Sequence, residues 1–240
     1  MTTTAPATVP QVLLPGQAAA PEGPVDMIMM YVMHHAFRRD LAAFAARVPT
    51  AAVDDAATWR ALAQRWTDFA QVLHKHHSGE DAGLWPLLLE RVDAAGDAEG
   101  RATLQAMEAE HAEIDPLLEA CARGFARMAE GGTADDRAAL AVRTAAARDS
   151  LGRHLVHEES EAMALLQRHL TQADWEECER RSFAKPKSLA DVAFAVPWVC
   201  LGLPADVREH AFGTAGRGFK VVWLLTRRGF ARRQRLAFGG

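Results

Sequence analysis

The sequence predicts an all-α protein, an up-down-up-down four-helix bundle with additional short C-terminal helices. Three observations carry this. Residues 25–182 are rich in Ala, Leu, Glu, Arg and Gln and poor in β-branched residues, a helical composition. Turn signals divide that stretch into long segments with short links. A displaced repeat relates its two halves: shifted by 78 residues, Leu73 meets Leu151, His76 meets His154, Glu80 meets Glu158, Asp81 meets Glu159 and Leu87-Leu88 meet Leu165-Leu166.

The elements follow in order. Residues 1–24 hold five prolines and a single charge, Glu22, and read as a flexible tail. Helices are expected over 25–47, 55–92, 98–130 and 134–169, with a short fifth over 172–181. Pro49 and Thr50 close the first, Gly96 between Asp93 and Asp97 the second, and Gly131-Gly132 the third. Four long helices joined by short links favour antiparallel neighbours. The bundle therefore spans 25–182. From residue 183 the texture changes: Lys185-Pro186-Lys187 is a break, and Trp198, Phe219, Trp223, Phe230 and Phe238 bring in aromatics. Residues 183–240 form a helical extension with a basic end. In its last helix Val221, Val222, Trp223 and Leu225 are expected to face inward, with Arg227, Arg228, Arg232, Arg233 and Arg235 outward.

Charge and composition exclude several classes. The net charge is −4, but residues 217–240 contain seven Lys or Arg and no acid, leaving 20 bases against 31 acids in residues 1–216. An acidic body is no nucleic-acid binder on its main fold. The basic end is a solvated helix face or, alternatively, a patch for acidic lipid, nucleic acid or an acidic partner. Three scattered cysteines make neither a disulfide framework nor a thiolate metal site, as suits a reducing cytosol. No Lys or Arg precedes Arg38, so the charged start of a secretory signal is missing. The longest apolar run, 192–205, contains Pro197 and Pro204 and falls short of the ~20 residues of a membrane span. A cytoplasmic protein is expected.

Ten histidines are the anomaly. His76-x-x-x-Glu80 and His154-x-x-x-Glu158 are i, i+4 pairs, whose side chains sit ~40° apart on a helix and one turn apart in height. An imidazole and a carboxylate presented together suit iron, manganese or zinc, and a carboxylate can bridge two ions. His34 and His111, related by a shift of 77, add one imidazole from each remaining helix and complete six ligands. Asp115, four residues after His111, is either a seventh ligand or a partner of a ligand imidazole. His77-x-x-x-Asp81 and His157-x-x-x-Glu161 are alternative registers one and three residues on. His77 and His35, each displaced ~100° from its neighbour, and Tyr31, three residues before His34, are candidates for catalytic roles around the ions. His74, His169 and His210 read as surface or structural.

These motifs resemble the hemerythrin-like, HHE cation-binding family. The residues that carry the resemblance are MYVMHHAFRRDL around His34, HHSGEDAGLWPLL from His76, AEHAEIDPLL around His111 and HLVHEESEAMALL from His154. The resemblance implies a non-haem centre of two Fe ions, bridged by Glu80, Glu158 and an oxo or hydroxo group, with Zn or Mn as products of mis-metallation. Its partner would be a small molecule: O2, NO or H2O2. Oxygen-carrying members have a second histidine where this chain has Asp115, and a third carboxylate would favour the ferric pair. That departure tells against simple reversible oxygen carriage, and the resemblance to bacterial members with C-terminal extensions implies peroxide or nitric-oxide detoxification more than oxygen storage. A redox sensor or carrier, and a di-iron oxygenase acting on an organic substrate, are the alternatives. A ferritin-type site needs Glu-x-x-His twice, and only Glu108-x-x-His111 matches.

Overall fold

The computed structural model describes residues 8–183 and 188–239. The expected break at Lys185-Pro186-Lys187 lies outside the described residues. Helices dominate: α1 (Ile28–Arg47), α2 (Ala56–Gly79), α3 (Trp85–Ala95), α4 (Ala98–Ala129), α5 (Ala134–His157), α6 (Met163–His169), α7 (Gln172–Cys178), α8 (Leu189–Val199), α9 (Ala205–Ala215) and α10 (Arg217–Phe238). A π-turn over Glu80–Leu84 joins α2 to α3, and another over Glu158–Ala162 joins α5 to α6. The four bundle rods are thus α1, α2–α3, α4 and α5–α6, close to the four expected spans. Among the described residues no helix is long and apolar enough to cross a membrane.

Local chemistry sets the ends. Asp55 and Asp97 cap α2 and α4 by accepting from the N–H groups of Thr58 and Gly100. Thr133–Asp136, Thr171–Asp174 and Ser188–Asp191 are capping boxes for α5, α7 and α8. Gly96 ends α3 at φ 66°, a conformation that needs no Cβ to be comfortable.

The π-turns were not legible in the helical pattern, yet they obey the 78-residue repeat. In each, an N–H reaches back five residues, from Trp85 to the Glu80 carbonyl and from Met163 to the Glu158 carbonyl. In the α2–α3 rod, His76, Glu80, Leu84, Leu88 and Val92 are all buried. Each four-residue step drifts ~40° round an α-helix. The wider turn absorbs that drift and returns α3 to the core.

Two apolar layers result. Phe37, Phe44, Trp66, Phe69, Leu73 and Leu151 belong to one buried cluster, and Tyr31, Leu84, Trp85, Leu88, Met107 and Met163 belong to the other. Residues 8–24, expected as a flexible tail, follow a defined path along the bundle. Val9 pairs with Gly23, the Gln11 amide donates to the Val25 carbonyl, and Gln167 donates to the same carbonyl. Side-chain amides thus satisfy a backbone that has no regular structure of its own.

The extension packs on α1 and α2 through α8, α9 and α10. α10 is long, at 22 residues. Buried Asp40 anchors the contact: it accepts from Arg65 Nε at 2.7 Å and from Arg39 Nη2 at 2.9 Å. The Arg65 guanidinium lies 5.1 Å from the Phe194 ring and 4.7 Å from the Phe230 ring, and Arg39 donates to the Leu201 carbonyl. The inward face of α10 is a correction to the sequence reading. Val221 and Leu225 are exposed, by 56% and 78%, while Phe230 and Ala237 are buried. The docking of Phe230 against Arg65 sets the rotation of the helix, which the sequence pattern alone left open.

Candidate metal centre

Between the two apolar layers all four rods contribute ligand-type atoms. His34, His76, Glu80 and Glu158 converge with their atoms within 4.8 Å of one another; His77, His111 and His154 do the same, and all seven are buried. The two groups share the carboxylates. Glu80 places Oε1 3.0 Å from His76 Nε2 and Oε2 3.6 Å from His111 Nε2. Glu158 Oε2 lies 3.4 Å from His34 Nε2 and 3.6 Å from His154 Nε2. Each glutamate therefore faces both groups, one from the end of α2 and one from the end of α5.

Carboxylates behind the imidazoles set their tautomers. His34 Nδ1 donates to Glu159 at 3.0 Å, His111 Nδ1 to Asp81 at 2.8 Å and His154 Nδ1 to Glu110 at 2.8 Å. With the proton held on Nδ1, each Nε2 presents a bare lone pair. His111 Nε2 and His154 Nε2 then face one another at 3.1 Å, and His34 Nε2 lies 3.2 Å from His76 Nε2. Two nitrogens held ~2.1 Å from one ion at a right angle sit ~3.0 Å apart. Both spacings are those of metal ligands, and between His111 and His154 lone pair against lone pair is otherwise repulsive.

The carboxylates agree. Glu80 and Glu158 are 0% exposed, and none of their four oxygens accepts a hydrogen bond. Burial, with the charges of Glu80 and Glu159 beside it, pushes the Glu158 carboxyl well above its ordinary value. Burial also pushes His34 down to about 4, against the pull of Glu159. Neutral imidazoles and unsatisfied buried carboxylates are the donor chemistry of a cation site.

The supporting carboxylates follow the repeat. Asp81 comes directly after Glu80, and Glu159 directly after Glu158; each orients the lone histidine of a neighbouring helix. Glu159 is further held by Arg38, whose Nη1 and Nη2 donate at 2.7 and 2.8 Å, and by the Ala18 N–H at 2.8 Å. Burial works to raise Glu159, and its bonds to His34 and Arg38 outweigh it, keeping it below its ordinary value. Glu110, Arg38 and Ala18 did not stand out in the sequence. The paired acids at 80–81 and 158–159 were the available signal for Asp81 and Glu159.

The structure brings His34, His76, Glu80, His111, His154 and Glu158 together, with His77 added. His77 stacks on His111 with ring centroids 3.9 Å apart, and neither of its nitrogens has a hydrogen-bond partner. Asp115 is not brought in. It is exposed, because Ile114 and Leu118 continue the buried stripe of α4 after His111. Tyr31 is fully buried with an unpartnered hydroxyl, and burial with the Glu159 and Glu158 charges raises its phenol. His35 is half-buried, with Nε2 towards Gly202 of the extension. His157 shares Glu110 with His154. His74 and His210 are exposed, and His169 lies 3.9 Å from Asp97.

Comparison with known proteins agrees with this geometry. The family model described as Hemerythrin HHE cation binding domain matches residues 28–166. No curated protein and no solved structure matches the chain. The matched span runs from the first residue of α1 into α6 and takes in every residue of the two ligand groups. A helical bundle whose rods converge His and Glu donors for iron or a similar metal is thus what the residues build and what the comparison finds, and the chain belongs to the hemerythrin HHE cation-binding family.

Proposed function

We propose that this protein holds two iron ions side by side and reacts, in the cytoplasm, with a small oxidant or gas: O2, NO or H2O2. The observation that carries the reading is the sharing of Glu80 and Glu158 between two imidazole groups. Two adjacent irons supply two-electron redox chemistry. The chain's own residues do the rest. His34, His76, His77, His111 and His154 hold the ions; Glu159, Asp81 and Glu110 orient three of those imidazoles. The apolar layers on either side exclude bulk water and admit a small molecule more readily than a large one.

The expectation of peroxide turnover rested on two or three carboxylates, Asp115 being the third, and on the missing second histidine of the third helix. With Asp115 exposed and His77 among the donors, the set is five imidazoles and two carboxylates. That set supports reversible binding of a diatomic ligand as the better reading. Peroxide or nitric-oxide removal is the second reading, supported by Tyr31. Its buried phenol, raised by burial and by the charges of Glu159 and Glu158, has no hydrogen-bond partner of its own and is a proton donor in reserve.

The test uses iron-loaded, chemically reduced protein. Optical titration with O2 and NO, and H2O2 consumption assayed beside Tyr31→Phe and Glu80→Gln, separate the readings. A reversible spectral change with O2 or NO supports binding. Sustained peroxide loss that depends on Tyr31 supports turnover. No response to any of the three by protein that carries two irons would sink the proposal.

A further inference from the structure

The outer face of α10 carries a combination that the metal centre does not use. Val221, Leu224, Leu225 and Leu236 are exposed by 56, 50, 78 and 52%. Arg228, Arg232 and Arg235 are exposed on the same side. At ~100° per residue, Val221, Leu225, Arg228 and Arg232 fall within an arc of ~60°, opposite buried Phe230 and Ala237. Arg227 and Arg233 flank it and are exposed as well. In this helix the ion pair found among the described residues is Lys220–Glu209; the arginines at 227, 228, 232, 233 and 235 make none there.

We infer that this face docks on an anionic lipid surface, with α10 lying in the plane of the headgroups. The charge is complementary: seven bases and no acid in residues 217–240. The mixture decides the class of partner. A nucleic acid would use the arginines and leave the leucines in water. An apolar groove would take the leucines and strip water from the guanidinium groups. A bilayer surface accepts both, with apolar side chains at the acyl boundary and arginines reaching the phosphates. The face is convex, being one helix on the outside of the molecule, so it can lie flat. The excess of acids in residues 1–216 keeps the bundle turned away from the same membrane. Residues Asp40, Arg65 and Phe230 hold α10 to the bundle, so docking would bring the whole metal centre to the surface.

The test is co-sedimentation of the full-length, iron-loaded protein with vesicles. One set is pure phosphatidylcholine and the other equal parts phosphatidylcholine and phosphatidylglycerol. The protein should bind the second set and not the first, and added salt should weaken binding. Arg228→Glu with Arg232→Glu should weaken it by about tenfold or more, and Leu225→Ser should weaken it as well. These side chains are exposed, and unchanged iron content and helicity confirm that the variants fold. Three results would overturn the inference: equal binding to both vesicle types, insensitivity to Leu225→Ser, or self-association through α10 that vesicles do not compete with. Binding to RNA that matches vesicle binding and ignores Leu225→Ser would reassign the face to nucleic acid.

Discussion

His77 and Leu155 occupy equivalent positions in the two halves of the bundle, 78 residues apart, and they make the two ligand groups different. His77 adds a third imidazole to His111 and His154, whereas Leu155 is a buried apolar residue beside His154 in sequence. A second substitution within the repeat has a similar effect. By the shift of 77, Arg38 corresponds to Asp115. Arg38 turns in to clamp Glu159, and Asp115 faces solvent. The halves share a plan, and single residues set their chemistry apart.

Metal content should follow this asymmetry. Protein from iron-supplemented cells should carry about two ions per chain, as two converging donor groups require. His77→Leu should lower that towards one, while Asp115→Asn should leave it unchanged. Elemental analysis of the purified proteins decides. Equal loss in both variants would mean that Asp115 reaches the ions after all.

The orienting carboxylates should matter nearly as much as the ligands. Glu159→Gln removes the negative charge and one of the two oxygens that hold His34 Nδ1–H and Arg38. Metal affinity should fall about 10- to 100-fold. Competition with a chelator of known affinity measures it, and Glu176→Gln, exposed on α7, serves as the control. No difference between the two variants would show that His34 is oriented by packing alone.

Asp40→Asn should loosen the extension. It leaves the Arg65 guanidinium buried without its carboxylate, a loss of about 3–5 kcal/mol where a buried pair is broken. Denaturant unfolding should show the loss, and limited proteolysis should remove residues beyond 183 faster than in the parent. Unchanged protection of α8 to α10 would place the anchor in the aromatic cluster instead.

Glu179 provides a pH dependence away from the ions. Burial, with Asp26 and Glu176 nearby, raises its carboxyl to about 7 from an ordinary 4.5. A raised acid contributes stability that is present below the unfolded value and lost as pH rises through the folded one. Glu179→Gln should therefore melt higher than the parent at pH above about 7, with the gap closing towards pH 4.5. Melting curves across that range test the sign. A gap that widened at low pH would contradict it.

Much of this was determined along the chain itself. Asp55, Asp97, Thr133 and the glycine at 96 mark where the rods begin and end, because caps and turns are chemistry of adjacent residues. His76, Glu80, His154 and Glu158 were legible because i, i+4 spacing sets an angle on one helix, and the repeat showed it twice. How one helix is rotated against another is not written in such spacing. That rotation decided that His77 rather than Asp115 joins His111, and that Glu110 reaches His154, 44 residues away. It also turned Leu225 outward once Phe230 docked at Arg65. Spacing acts through the backbone of a single helix; which donors meet across the bundle depends on packing between helices, and here the two π-turns shift the register of that packing where the carboxylates stand.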